Sequence, residues 1–531
     1  MESVSAAIRQ HAGGWVSSRP ATHKVAVAAL TALMAAGYSV FSLTLNYTFQ
    51  TSSYDLVIFD QAVRSYAHFQ PGVSAIKGLH NEFGPHFSVL GDHWSPILAA
   101  LAPLYWIFNS PQTLLVAQAV LFALAVPPLW LFTRRAFGGG RKATIAAYLV
   151  AVAYALSWPI ASAAAFGFHE VAFAPVLTAV ALERLQAGRL RTALIALAAL
   201  LLVKEDMGLF VAGIGCYLAV TRPRLVNRQR LVALVLIVVG VADTWAATYV
   251  LIPAFGGRSD YYWAYGVLGN NVPQAAGHII AHPLGTLRLL ITPRVKLDTM
   301  LWLLAPFCFL PLLSPITIAV IPLLAERMLQ DKFPNWWVTA YHYNAYLVII
   351  LACAAVDGAA RLDRWVSRTR QARTPAELRD GRGTGTGTVA FGGVVAICAV
   401  TLYLVPRFAL GPALHPAFYQ RNAEQTTAAA AVAAVPAGVT VEAVNRLGPH
   451  LSGRDAVLLW DGDGGSPLYP PWVLAATVGR QFTFRSVSQQ KQRIALLRKH
   501  GYQTVFDRGG FIVLHSPGAN APATGPAASN G

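Results

Sequence analysis

Long apolar blocks separated by short polar islands dominate this chain, a pattern that predicts membrane-crossing helices. The blocks fall at residues 25–45, 113–132, 143–160, 171–182, 192–203, 207–220, 231–252, 297–313, 316–329, 345–360 and 389–403, about eleven spans by this reading. A further apolar stretch, 95–108, is interrupted by Pro96 and Pro103 and too short to span, so a re-entrant or juxtamembrane helix is expected there. The first block has no small-residue cleavage site behind a short core and reads as a retained anchor.

Basic clusters supply the orientation. RRAFGGGRK (134–142), ERLQAGRLR (183–191), TRPRLVNRQR (221–230) and the Arg-rich, Gly/Thr-rich linker 361–388 alternate with the blocks, and the positive-inside rule assigns each to the cytoplasm. The segment 1–24 then lies inside, and everything after Pro406 lies outside. The loop 253–296 is net basic yet external, which the rule tolerates in long loops.

After residue 410 the pattern changes. Short β-rich runs (VTVEAV, AVLLW, TVFD, FIVLHS) surround a helical SQQKQRIALLRKHG, which predicts a small α/β domain over 411–517. The Ala/Gly/Pro-rich tail 518–531 reads as disordered, and DGDGG at Asp461 lacks the downstream glutamate of a calcium loop and reads as a turn. The expected architecture is an all-α polytopic membrane protein, 25–410, with a small extracytoplasmic α/β domain.

Composition agrees: 55% of the 531 residues are hydrophobic and 12% charged, with mean hydropathy +0.47, unlike a soluble multidomain protein. The net charge of +17 sits in short clusters between apolar blocks, so no nucleic-acid partner is expected. The four cysteines, Cys216, Cys308, Cys353 and Cys398, all fall inside apolar runs, and neither a disulfide framework nor a phosphate or dinucleotide loop is visible.

Candidate chemistry concentrates in the first outer loop, 46–110, and above all in 52–96, which carries Asp55, Asp60, Glu82, Asp92, His68, His80, His86 and His93. Ser52 and Asp55 have capping-box spacing. Leu56, Phe59, Val63, Tyr66 and Phe69 then form an apolar stripe, with Asp60, Arg64 and His68 on the other face, as in a helix lying along the membrane surface. On the helix alone, Asp60 with Arg64 reads as a surface ion pair.

Lys204, Glu205 and Asp206 interrupt one apolar run, and inside a single span they would cost on the order of 8–10 kcal/mol, so a turn is expected there. Only about 20 Å of helix separates Arg191 from Lys204, which places the triplet below the outer surface in a wet cavity. His169 and Glu170 open the 171–182 block, and Tyr341-His342-Tyr343 opens another. Each alone reads equally as a cap or an interfacial anchor. Together with Asp60, Asp92 and His93 they converge on one membrane face, which predicts an external polar pocket.

The motifs YDLVIFDQ (54–61), LGDHWSPIL (90–98), FHE (168–170), LLVKEDMGL (201–209) and YHY (341–343) resemble those of a bacterial membrane family known as domain of unknown function 2079. That family looks similar to the GT-C glycosyltransferases, which take sugars from polyprenyl-phosphate donors. Asp60 matches their early acidic position, and His93-Trp94-Ser95-Pro96 loosely matches their second motif. The resemblance implies transfer of a sugar to an acceptor on the outer face of a bacterial plasma membrane. Asp60 would be the base, with Lys204 and Glu205 also catalytic, and Lys204 or Arg258 facing the departing phosphate. Substrate would be bound by Asp55, Gln61, Asp92, His93, His169, Glu170, Asp206, Arg258, Tyr341 and His342. A divalent metal, if used, would be held by Asp60, His93, His169 and Glu170. The tyrosine-rich loop 261–265 is placed to stack on sugar or prenyl chain or to anchor at the interface. The rival reading is a transporter or lipid/glycan-binding protein using the same pocket, although the internal repeats of a transporter are not visible.

Overall fold

The computed structural model describes residues 20–221, 227–260, 263–373, 387–462 and 469–517. The expectations for 1–19, for Tyr261 and Tyr262, for much of the basic clusters at 222–226 and 374–386, for Asp463, Gly464 and Gly465 of DGDGG and for the tail 518–531 lie outside the described residues.

Among the described residues, six helices are long and apolar enough to cross a membrane: Thr22–Tyr47, Gln112–Ala136, Gly140–Ala165, Arg230–Ala254, His342–Arg370 and Thr388–Arg407. The other expected spans appear as shorter helices, Phe173–Gln186, Leu190–Leu200, Met207–Thr221, Arg294–Leu304 and Ile321–Leu329. His342–Arg370 is the axis of the bundle, with 83% of its most apolar window buried against 22% for Arg230–Ala254 at the periphery. It packs on Phe173–Gln186, Val126–Ala136, Thr388–Leu404 and the 3-10 turns Leu310–Leu313 and Pro315–Val320. Met207–Thr221 lies tight against Asn227–Ala246, because a Cβ on Gly208 would run into the carbonyl oxygen of Gly240, and the reverse.

Three expectations need correction. The loop 253–296 is largely helical, with Val272–Ala281 and Pro283–Ile291. The linker does not begin at Arg361, because the helix Ala345–Arg373 runs on, and Asp363 accepts from the amides of Gly387, Val389 and Ala390 to cap the next helix. Ser52 does not open a capping box: its hydroxyl donates to the Tyr54 carbonyl, the chain kinks at Tyr54 and Asp55, and the regular helix is Ile58–Ala67.

The C-terminal domain is a five-stranded sheet in the order β2-β1-β3-β5-β4. The strands are β1 Thr440–Ala443, β2 Ala456–Leu459, β3 Trp472–Ala476, β4 Gln503–Arg508 and β5 Phe511–His515. β1 pairs in parallel with β2 and β3, in register Val441↔Val457 and Glu442↔Val473. β4 and β5 form a hairpin whose turn, Gly509-Gly510, has positive φ at both residues, as a tight two-residue connection requires. Helices Ala423–Ala433 and Val487–Lys499 cover the sheet. Val441, Val457, Val473, Leu474 and Val513 are wholly buried, the near-continuous apolar strands that such covering demands.

This domain sits on the segment 46–110. Gln61 donates to the Val457 carbonyl (2.8 Å), His80 pairs with Asp461 (2.7 Å), and Arg421 donates to the Tyr47 carbonyl (2.9 Å) while covering its ring.

Candidate functional site

The apolar run 192–220 breaks where its charges require: helix Leu190–Leu200 stops, Lys204-Glu205-Asp206 form a turn, and Met207–Thr221 restarts. Lys204 and Asp206 are nonetheless buried. Burial alone would lower the lysine pKa, but Asp206, Glu205 and Glu170 around it raise it well above the usual value. Lys204 Nζ stands 3.9 Å from Glu170 Oε1, an ion pair too long for a hydrogen bond, so its donors are left for another group. Glu205 is committed: it accepts from His93 Nδ1 (2.8 Å) and from the Trp94 amide (3.2 Å). That pairing outweighs burial on both sides, holding the Glu205 carboxyl down and His93 up. Asp206 is different: burial pushes it up to about 6 despite Lys204, and its Oδ1 has no partner among the described residues.

Facing this turn is a second group built on imidazoles. His169 Nε2 reaches Asp55 Oδ1 at 3.5 Å, and the His169 ring stacks on His342 with centroids 3.6 Å apart. Phe166 stacks on the His169 ring, and Tyr341 meets Phe166 edge-on. Asp55 is held at φ +137°, a conformation costing a non-glycine residue about 1–3 kcal/mol. Among the described residues His169 and His342 each leave Nδ1 without a partner, and Glu170 leaves Oε2. Buried polar atoms are normally satisfied, so unpaired acceptors gathered around one loosely held cation mark a place for a ligand.

The structure also separates residues the sequence had grouped. Asp60, expected as the base, is fully buried and turned toward the C-terminal domain. Its carboxylate accepts from Arg64 (2.9–3.0 Å), Tyr105 (2.8 Å) and the Ser452 hydroxyl. Burial raises its pKa, with Arg64 and these donors opposing the rise. A base needs an open lone pair beside the substrate, and Asp60 has its oxygens occupied. Its neighbour Phe59, not Asp60, meets His169. Gln61, expected to bind substrate, spends its amide on the Val457 carbonyl and its oxygen on Ser74 and Ile76. Arg258 is exposed at the surface and pairs with Asp260 two residues on, far from a phosphate-binding role. Asp92 pairs with the buried Lys77 (3.0 Å), which also reaches the Tyr54 hydroxyl. The expected metal set fails the geometry: Asp60 faces away, His93 is tied to Glu205 and His169 to Asp55. Among the described residues no three His, Cys, Asp or Glu side chains assemble as a metal site.

Two residues escaped the sequence reading. Glu326 leaves Oε2 unpartnered among the described residues and interacts electrostatically with Asp206, Lys204 and Glu205. Arg327 donates to the carbonyls of Trp336 and Tyr343 and to Asn344 Oδ1, pinning the start of the axial helix. The signal was present, because a Glu-Arg pair inside the apolar run 316–329 would cost about 6 kcal/mol by the same reckoning as the Lys204 triplet.

No curated protein matches this sequence. Among solved structures, the chain is similar to the crystal structure of ArnT from Cupriavidus metallidurans bound to undecaprenyl phosphate, at 14% identity, with TM-score 0.48, covering 93% of this chain and 98% of that one. The family of predicted membrane proteins DUF2079 matches residues 45–513, and the chain belongs to that family.

Proposed function

We propose that this protein is a membrane glycosyltransferase of the GT-C kind, moving a sugar from a polyprenyl-phosphate donor to an acceptor hydroxyl at the outer face. The observation that carries the reading is the ring of buried, unpartnered polar atoms around Lys204: Glu170 Oε2, Asp206 Oδ1, Glu326 Oε2 and the free nitrogens of His169 and His342. Sugar hydroxyls are the donors such acceptors lack, and the lysine supplies charge for a phosphate. The family's motif resemblance points the same way.

The base in this reading is Asp55 rather than Asp60. Asp55 is only partly buried, and its Oδ1 lies 3.5 Å from His169 Nε2. It removes the proton of the acceptor hydroxyl while that oxygen attacks the anomeric carbon. The bond from that carbon to the phosphate oxygen breaks, the phosphate leaves with the electron pair, and Lys204 stabilises the charge it gains. Glu205 holds His93, and His342 braces the ring of His169.

The reading carries a topology: eleven crossings, residues 1–24 in the cytoplasm, and the site and residues 411–517 outside. The short helix Ile321–Leu329 follows a 3-10 stretch, Pro315–Val320, and the tighter rise of that stretch lengthens the pair to roughly 25 Å, close to a bilayer core.

The test is transfer by purified protein in nanodiscs with a panel of polyprenyl-phosphate sugars. Transfer in the wild type that is lost in Asp55→Asn is expected. A wild type that binds polyprenyl phosphate and transfers none of the panel would overturn the enzyme reading in favour of a binding protein.

A further inference from the structure

Open α/β sheets bind their ligands in the crevice at the carboxyl ends of parallel strands. In the C-terminal domain that edge is already filled, by the chain's own first outer loop. Asn445 lies just past β1 and Asp461 just past β2, and because the strands are parallel both residues stand on one edge. The Ser53 amide donates to the Asn445 carbonyl (2.7 Å), and the Tyr54 amide donates to Asn445 Oδ1 (2.8 Å). Asp461 holds His80, and Phe482 packs against the rings of Tyr54 (5.4 Å) and His80 (6.0 Å).

The next residue is Asp55. Tyr54 is fixed at its amide by Asn445 and at its hydroxyl by Lys77 and Asn81 (both 3.2 Å). With Tyr54 immobile, the direction of the Asp55 carboxylate is set by the rotation at Asp55 itself, which stands at φ +137°. The packing thus holds open a backbone conformation that an unclamped peptide would leave.

We propose that Asn445 is a positioning residue for the outer-face site: by binding two successive amides of the loop, the C-terminal domain aims Asp55 at His169. The inference rests on Asp55 being the working carboxylate, and its test is separable from that assignment.

The experiment uses the full chain in nanodiscs and measures the rate at which a water-soluble carbodiimide and an amine modify Asp55, mapped by mass spectrometry. The exposed Asp507 serves as internal reference. In Asn445→Ala the Asp55 rate changes by about tenfold while Asp507 is unmoved, as loss of a geometry-setting hydrogen bond predicts. Asn445→Asp, which keeps an acceptor for the Tyr54 amide, restores most of the wild-type rate, and a merely adhesive contact would show no such rescue at Asp55. Should Asn445→Ala fail to fold, Gly448→Ala replaces it, because a Cβ there would run into Ser53 Oγ from the same domain. An Asp55 rate equal to wild type in a folded variant overturns the proposal, even if transfer depends on Asp55. A shifted rate together with full transfer by Asp55→Asn would leave the positioning intact and remove the base assignment instead.

Discussion

Two buried polar regions of this protein, one around Asp60 and one around Lys204, differ in one respect. Around Asp60, at the joint between loop and C-terminal domain, the carboxyl group has Arg64, Tyr105 and Ser452 as donors. Around Lys204, at the break in the apolar run, Asp206, Glu170, Glu326, His169 and His342 each leave an atom unpartnered. Both are costly to bury, yet the first is closed and the second open. Burial of charge therefore does not identify a site, whereas the unused valence of the buried groups does.

The comparison is broken most forcefully by exchanging the two aspartates. Asp55→Asn is expected to lower kcat for sugar transfer by about 10³-fold with an unchanged thermal midpoint, the size of a lost general base. Asp60→Asn should do the reverse, costing about 3 kcal/mol of stability by leaving Arg64 and its neighbours without an anion, with turnover per folded molecule within a few-fold of wild type. Thermal unfolding alongside transfer rates separates the two, and equal loss of turnover in both variants would erase the distinction.

Lys204→Gln sharpens the open side, with an expected loss of about 10²-fold in transfer through loss of charge opposite the phosphate. A smaller effect is the pH dependence of donor binding. With Asp206 raised to about 6, acidification through that value removes a negative charge beside Lys204. Affinity for a polyprenyl-phosphate sugar, whose diester charge is constant there, should rise about tenfold from pH 7.5 to 5. Asp206→Asn should flatten that profile in calorimetric titration. For stability the sign is likewise fixed: a carboxyl whose folded pKa is raised weakens the fold above about pH 6, and the penalty vanishes below the unfolded value near 4. The least change is expected from Arg258→Ala, with the thermal midpoint unmoved and no effect on donor binding, because its pair with Asp260 is solvent-exposed.

Much of this was legible in the residues. The apolar blocks, the interruption at Lys204-Glu205-Asp206 and the strands VTVEAV, AVLLW and FIVLHS depend on neighbours within one or two turns, and the structure forms helices, a turn and strands there. The same local logic overlooked Glu326, because a charge pair inside an apolar run was read as part of a span. It also overlooked the strand Trp472–Ala476, which pairs on both sides within the sheet.

The choice between Asp55 and Asp60 lay beyond any local rule. Both sit in YDLVIFDQ, and the i, i+4 partner of Asp60 made it look like the exposed one. What decides is contact with Ser452, Asn445 and Val457, separated from the loop by 392, 391 and 396 residues respectively. The sequence by itself determined where the chain is apolar enough to enter a membrane and which charges must find company there, because transfer free energies belong to individual side chains. Only the tertiary structure decided which charges were satisfied and which left open, because hydrogen bonds are directional and their partners arrive from the far end of the chain.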